Sequence, residues 1–218
     1  MKQVRQVYKM NLESTIEVKR RMLKEEKRKP QTEREETIQT TIMLPQLVRM
    51  VLGDMKEKYP GLNWQELTRI LIEHGFSMIE HRYGRIIKEI GEMRKELTYP
   101  QIRRVRNFLM DTKVNIDGVE KPARKGISIR KNLHSGINTV AEKLGIEFSS
   151  MIRLCIYHSL STSSELPLEV LNESRKEIEK FKYDLLEAKI TLMMFRWGEN
   201  IWKEKKDEWV KELDNLSE

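Results

Sequence analysis

The chain is 218 residues long, with 39% hydrophobic and 34% charged residues, the balance of a soluble, helix-rich protein of one or two domains. No apolar run approaches the ~18 residues that a membrane-spanning helix needs. The N-terminal MKQVRQVYKMNLES lacks the apolar core of a signal peptide. The lone Cys155 excludes an intrachain disulfide and a cysteine zinc cluster, so an intracellular (cytoplasmic) location is the default expectation. The net charge of +7 is unevenly spread: residues 1–36 hold 11 basic and 7 acidic side chains and residues 82–131 hold 14 and 6, while the segments between and after them are slightly acidic.

Residues 1 to about 29 contain no Gly or Pro and carry a loose apolar stripe, Val4, Val7, Tyr8, Leu12, Ile16 and Met22 or Leu23. They read as a helix ending in the charge run KRRMLKEEKRK, either a docking helix or a basic arm, and residues 30–36 form a polar link. From Thr37 the period changes to two: Ile38, Thr40, Ile42 and Leu44 share one face and Thr37, Gln39, Thr41 and Met43 the other, the pattern of a strand with one apolar side. Pro45 ends the strand and suits a helix start. Val48, Leu52, Met55 and Tyr59 then recur at helical spacing until Pro60-Gly61 breaks the run. Asn63 with Glu66 makes a capping box for a second helix, whose buried face is Leu67, Ile70, Leu71 and Phe76.

That helix is expected to end near Tyr83, with Gly84 breaking it and a further helix running from Arg85 to Leu97 on Ile86, Ile87, Ile90 and Met93. After Tyr99-Pro100, a short helix over 101–110 carries Arg103, Arg104 and Arg106, and Asp117-Gly118 marks a turn. A second short strand carries Ile127 and Ile129. A helix with Leu133, Ile137, Val140 and Leu144 follows, then Gly145 and another helix to Leu160. STSSELP, Ser161–Pro167, is a boundary. Beyond it a long helix runs to about Phe195 and a last one from about Glu199 to Leu213. Trp197, Trp202 and Trp209 serve either to pack this hairpin on the body or to form a self-association surface.

The segments starting at Thr37 and Arg124 match in more than period. Counted from Pro45 and from Arg130, their apolar positions fall at the same offsets. After the loop glycines Gly61 and Gly145, Leu67 aligns with Met151, Arg69 with Arg153, Ile70 with Leu154, Leu71 with Cys155 and Ile72 with Ile156. Strand, helix, turn and helix therefore recur as a unit. In these residues the chain resembles the ribbon-helix-helix DNA-binding family, the family of Arc and MetJ, and a tandem arrangement on a chain of this length is similar to transcriptional regulators of filamentous archaeal viruses. The second copy departs from the family pattern in opening its first helix with Arg130 and in having Glu147 at the cap position of its second.

The expected organisation is a basic N-terminal helix and link (1–36), a first unit (37–83), a helical basic connection (84–123), a second unit (124–161) and a C-terminal helical hairpin (162–218). The fold class is mainly α, a tandem ribbon-helix-helix pseudo-dimer with one two-stranded antiparallel ribbon. The sequence leaves open whether the strands pair within one chain or between two. The resemblance implies a sequence-specific regulator of transcription that binds double-stranded DNA, with no catalysis and no cofactor. It assigns base contacts in the major groove to Thr37, Gln39, Thr41 and Met43 of the first strand and to Arg124, Gly126 and Ser128 of the second. It assigns phosphate contacts to the helix starts at Asn63, Trp64 and Gln65 and at Phe148, Ser149 and Ser150, with Arg130 and Lys131 adding to them. The alternative is an antitoxin-like or other protein-interaction module working through the C-terminal helices. A metal site is not expected: His74 and His81 lie two helical turns apart with no carboxylate or cysteine completing a set. His134 and His158 read as surface or satisfied histidines, and Cys155 as a buried small hydrophobe.

Overall fold

A computed structural model describes residues 11–28, 36–98 and 123–197, together with the isolated positions 100, 208 and 211. These residues are mainly helical around one two-stranded antiparallel sheet. In chain order they form α1 (Leu12–Arg28), β1 (Thr37–Leu44), α2 (Gln46–Lys58), α3 (Trp64–Lys95), β2 (Ala123–Arg130), α4 (Lys131–Leu144), α5 (Phe148–Leu160) and α6 (Leu168–Trp197). The short helix expected over 101–110, the turn at Asp117-Gly118 and the last helix with Trp202 and Trp209 lie outside the described residues.

The strands pair within the chain, in the register Thr37↔Arg130, Gln39↔Ser128, Thr41↔Gly126 and Met43↔Arg124. The alternation read from the sequence becomes the burial pattern. Ile42 and Leu44 are buried, Ile38 and Thr40 partly so, and Thr37, Gln39, Thr41 and Met43 are exposed. On β2, Ile127 and Ile129 are fully buried. Each strand also touches the second helix that follows the other strand: α3 packs on β2 and α5 on β1. The two segments therefore interlock, and neither buries its strand with its own helices alone.

The first chain-order expectation to fail is the break at Gly84. α3 runs without interruption through Gly84 and Gly91, so the boundary between residues 83 and 84 falls inside a 32-residue helix. The physical reason is burial. Ile86, Ile87, Ile90 and Met93 extend the inner stripe of the same helix, and their burial outweighs the ~1 kcal/mol that one mid-helix glycine costs relative to alanine. The extension also holds its neighbours by polar contacts. Arg94 donates through Nη1 to the carbonyls of Glu142 and Lys143 at 3.1 and 2.8 Å, closing the C-terminus of α4 just before Gly145, which is left-handed at φ 70°. Lys189 on α6, almost fully buried, pairs with Glu89 at 3.1 Å, and Arg196 pairs with Glu96 at 3.3 Å.

One cluster of buried apolar side chains runs from Leu12 on α1 through both strands and α2–α5 to Met193 on α6. α1 is a docked helix: Asn11 caps it, with Oδ1 accepting from the Ser14 amide, and Leu12, Ile16 and Leu23 enter the core. The segment 161–167 is fastened at both sides, by Ser163 donating to Glu13 and by an ion pair between Lys58 and Glu165. On α6, Val170, Phe181, Leu185, Ala188 and Leu192 are buried, so this part of the expected hairpin packs on the body.

α3 and α5 cross at Gly75. A Cβ placed there would lie 1.7 Å from the carbonyl oxygen of Cys155, a backbone atom that cannot swing away. Near the crossing, His74 is fully buried with Nδ1 3.0 Å from the Ser159 hydroxyl. Its counterpart in the second segment, His158, is also fully buried, but neither ring nitrogen has a hydrogen-bond partner among the described residues. It lies edge-on to Tyr83 and Phe181, with ring centroids 5.6 and 6.1 Å away. The expectation of a surface or satisfied histidine fails there, because α6 covers the position with an aromatic ring. Burial, with a smaller contribution from the charge of Arg82, pushes the His158 imidazole down to about 3.

Two outcomes test this packing. Gly75→Ala should lower the melting temperature, costing about 1–3 kcal/mol of stability in the manner of overpacked cores. Gly84→Ala, which meets nothing within 4 Å, should instead raise stability by about 0.5–1 kcal/mol. Because the folded-state pKa of His158 is depressed below its ordinary 6.5, the unfolded chain binds the proton more readily. Stability is then complete above pH 6.5 and falls as the pH drops toward 3, by up to about 1.4 kcal/mol per pH unit for this one group. His158→Phe should flatten that part of the acid limb in urea titrations run at successive pH values.

Candidate nucleic-acid interface

The outer face of the ribbon is where the family resemblance assigns base contacts, and the register brings those residues together in pairs. Gln39 lies opposite Ser128, and its Nε2 donates to the Ser128 hydroxyl at 2.6 Å. Thr41 lies opposite Gly126, and Met43 opposite Arg124. Thr37 lies opposite Arg130 at the end of the ladder. Counted from Pro45 and from Arg130, Thr41 and Gly126 occupy the same place in their two segments, four residues earlier. The ribbon is thus centred on a pair of equivalent positions, as a local two-fold axis would require. Met43 is 47% exposed and offers only shape.

The start of α3 sits beside the ribbon. Asn63 Oδ1 accepts from the Glu66 amide and Glu66 Oε2 accepts from the Asn63 amide, both at 2.9 Å, which is the capping box read from the sequence. Trp64 and Gln65 are the first two residues of the helix, whose amides have no acceptor within the helix itself. Gln65 Nε2 approaches the carbonyl of Gly126 at 3.4 Å, and Lys125 Nζ lies 5.9 Å from the centre of the Trp64 ring. Glu66 leaves a buried carboxylate at this helix start, which would repel an anion, but Lys27 from α1 pairs with it at 2.7 Å. That ion pair was not legible in the sequence, since it joins two helices separated by a link and a strand.

The start of α5 is built differently. Its N-cap, Glu147, makes no side-chain capping bond, Ser149 points back toward it with Oγ 3.4 Å from Oε2, Phe148 lies 4.5 Å from the His134 ring, and Ser150 is half-buried. Here a carboxylate competes with any anion, and among the described residues no lysine forms an ion pair with it.

Arg130 and Lys131 are turned to carboxylates of the first segment and of the link before it. Arg130 Nη2 pairs with Glu73 at 3.2 Å, and the same carboxylate holds Lys19 of α1 at 2.6 Å. Lys131 pairs with Glu36 at 2.7 Å through its ammonium, and its amide donates to the Glu36 carbonyl at 2.9 Å, extending the ladder by one bond. The ion pair lowers the Glu36 carboxyl and raises the Lys131 ammonium from their ordinary values, chiefly through the hydrogen bond between them. Both cations stand at the ribbon end, as expected, and a phosphate that used them would displace a carboxylate first.

Among the described residues no three His, Cys, Asp or Glu side chains gather as a metal would need, and no helix is long and apolar enough to cross a membrane. Cys155 is fully buried, which raises its thiol well above the ordinary range. No family model, curated protein or solved structure matches the chain.

Proposed function

We propose that the chain is a sequence-specific double-stranded DNA-binding regulator of transcription. In this reading it is a tandem ribbon-helix-helix pseudo-dimer that inserts its own two-stranded ribbon into the major groove. The observation that carries the reading is the register. It sets Gln39 beside Ser128 and Thr41 beside Gly126 on a polar, exposed face whose reverse side is packed on helices, and it centres the ribbon on equivalent positions. A two-stranded ribbon is narrow enough for the major groove, where each base pair presents a distinct pattern of donors and acceptors. The crosswise packing of α3 on β2 and of α5 on β1 fits two interlocked units, and the open amides at the start of α3 stand where the groove's phosphate edge would pass. The net charge of +7 supplies the long-range attraction.

The alternative through the C-terminal helices has less to work with in the described part, because Val170, Phe181, Leu185, Ala188 and Leu192 of α6 are taken up by the chain's own core, leaving Leu168 and Tyr183 exposed. Footprinting on duplex fragments, with and without Gln39→Ala/Thr41→Ala, tests the proposal. The double change should erase site preference at roughly 1–3 kcal/mol per base contact and leave weak binding whose logarithm still falls linearly with the logarithm of salt concentration. Equal loss on all sequences would mean that β1 reads no bases.

A further inference from the structure

The two halves of the ribbon face are unlike. Counted outward from the central Thr41–Gly126 pair, the next outward-facing pair is Gln39 opposite Ser128 in one half and Met43 opposite Arg124 in the other. Gln39 and Arg124 are the equivalent positions of the two strands, each six residues before its helix-start residue, Pro45 or Arg130. Across the ladder, Gln39 has a hydroxyl for a neighbour and Arg124 has a thioether. A hydroxyl both donates and accepts hydrogen bonds, whereas a thioether accepts only weakly and donates none, so the two halves present different chemistry by residue type.

An exposed glutamine ordinarily samples many rotamers, and ordering it on a base costs entropy. Here the 2.6 Å bond from Nε2 to the Ser128 hydroxyl ties the amide down before any ligand arrives. The amide carries two hydrogens, and the bond uses one. Its oxygen and the second hydrogen remain, an acceptor beside a donor. That pair complements the N6 donor and N7 acceptor of adenine in the major groove. It does not complement the two acceptors of guanine. Had the amide been turned the other way, with its oxygen on Ser128, two donors would face outward and guanine would be favoured instead.

We propose that Gln39 and Ser128 form a preset adenine-reading pair, with Ser128 as the positioning residue, and that this pair serves one half of the DNA site, giving the bound protein a fixed direction. The proposal rests on the major-groove reading above and names the base that it recognises. A sequence-neutral cross-strand bond would steady the ribbon without any effect on base choice, and the test separates the two.

The full-length chain is used to select sites from a random duplex library. Each base pair of the selected site is then replaced in turn, and affinities are measured at one salt concentration for the parent, Gln39→Ala, Ser128→Ala and Ser128→Thr. The parent should require adenine at one position on one side of the site's centre, with replacements there weakening binding by about 5- to 150-fold. Gln39→Ala should abolish that discrimination. Ser128→Ala should reduce it to a few-fold at the same position while leaving the other positions unchanged, and Ser128→Thr, which keeps the hydroxyl, should restore it. Guanine preference at that position, discrimination that does not move with Ser128, or a loss spread evenly over both halves would overturn the pairing while leaving the DNA-binding reading standing. A chain that binds no duplex at all would overturn both.

Discussion

Everything in this molecule hangs on the ladder between two strands that are distant in sequence. An isolated strand leaves its N–H and C=O groups without partners, and two short helices bury too little apolar surface to hold it. β1 and β2 supply each other's missing bonds over eight residues. The crosswise packing of α3 and α5 then makes each strand a condition of the other segment's core. The outer face is polar because the inner face takes up the apolar residues, and a period of two allows no other division. The exposed, mostly polar ribbon face is in this sense a by-product of how the ribbon is held.

α3 is the element that turns this small motif into a larger body. Its first half belongs to the ribbon unit, crossing α5 at Gly75. Its second half holds the second segment through Arg94 on the carbonyls ending α4, and anchors α6 through Glu89 and Glu96 on its cations. α1 is tied to α3 through Lys19–Glu73 and Lys27–Glu66, and Glu73 passes the connection to Arg130 at the ribbon's end. Only the first segment has such a helix among the described residues. The two helix starts flanking the ribbon therefore differ in charge: Glu66 is offset by Lys27, while Glu147 faces Ser149. Two like segments in one chain can diverge in this way, whereas two copies of a shorter chain would carry every change twice.

What could be read in advance was whatever a local pattern determines. The faces of β1 followed from alternation, the Asn63–Glu66 box from spacing, and the turns at Gly61 and Gly145 from residue type. All appear as read, with both glycines at positive φ. Gly84 misled because a local breaker competes with burial that only the fold reveals. His158 misled because its environment is made by Phe181, an aromatic residue of another helix. The candidate interface was legible as two lists of outward residues but not as pairs. Alternation is unchanged by sliding one strand two residues past the other, so the bond between Gln39 and Ser128 and the centring on Thr41 and Gly126 needed the register itself. The carboxylates on Arg130 and Lys131 were equally out of reach, since Glu73 comes from the other segment and Glu36 from the link before it.

The most direct test of the ribbon is a cross-strand disulfide at its centre. Opposed residues of an antiparallel pair have Cα atoms about 4.5–5.5 Å apart, within the span of a disulfide, and the native Cys155 is buried. A chain with Thr41→Cys and Gly126→Cys, oxidised at successive dilutions and separated without reductant, should close into a compact single-chain product whose yield is independent of protein concentration. Cross-linking only between chains, fading on dilution, or no cross-linking at all would contradict a ribbon built by one polypeptide.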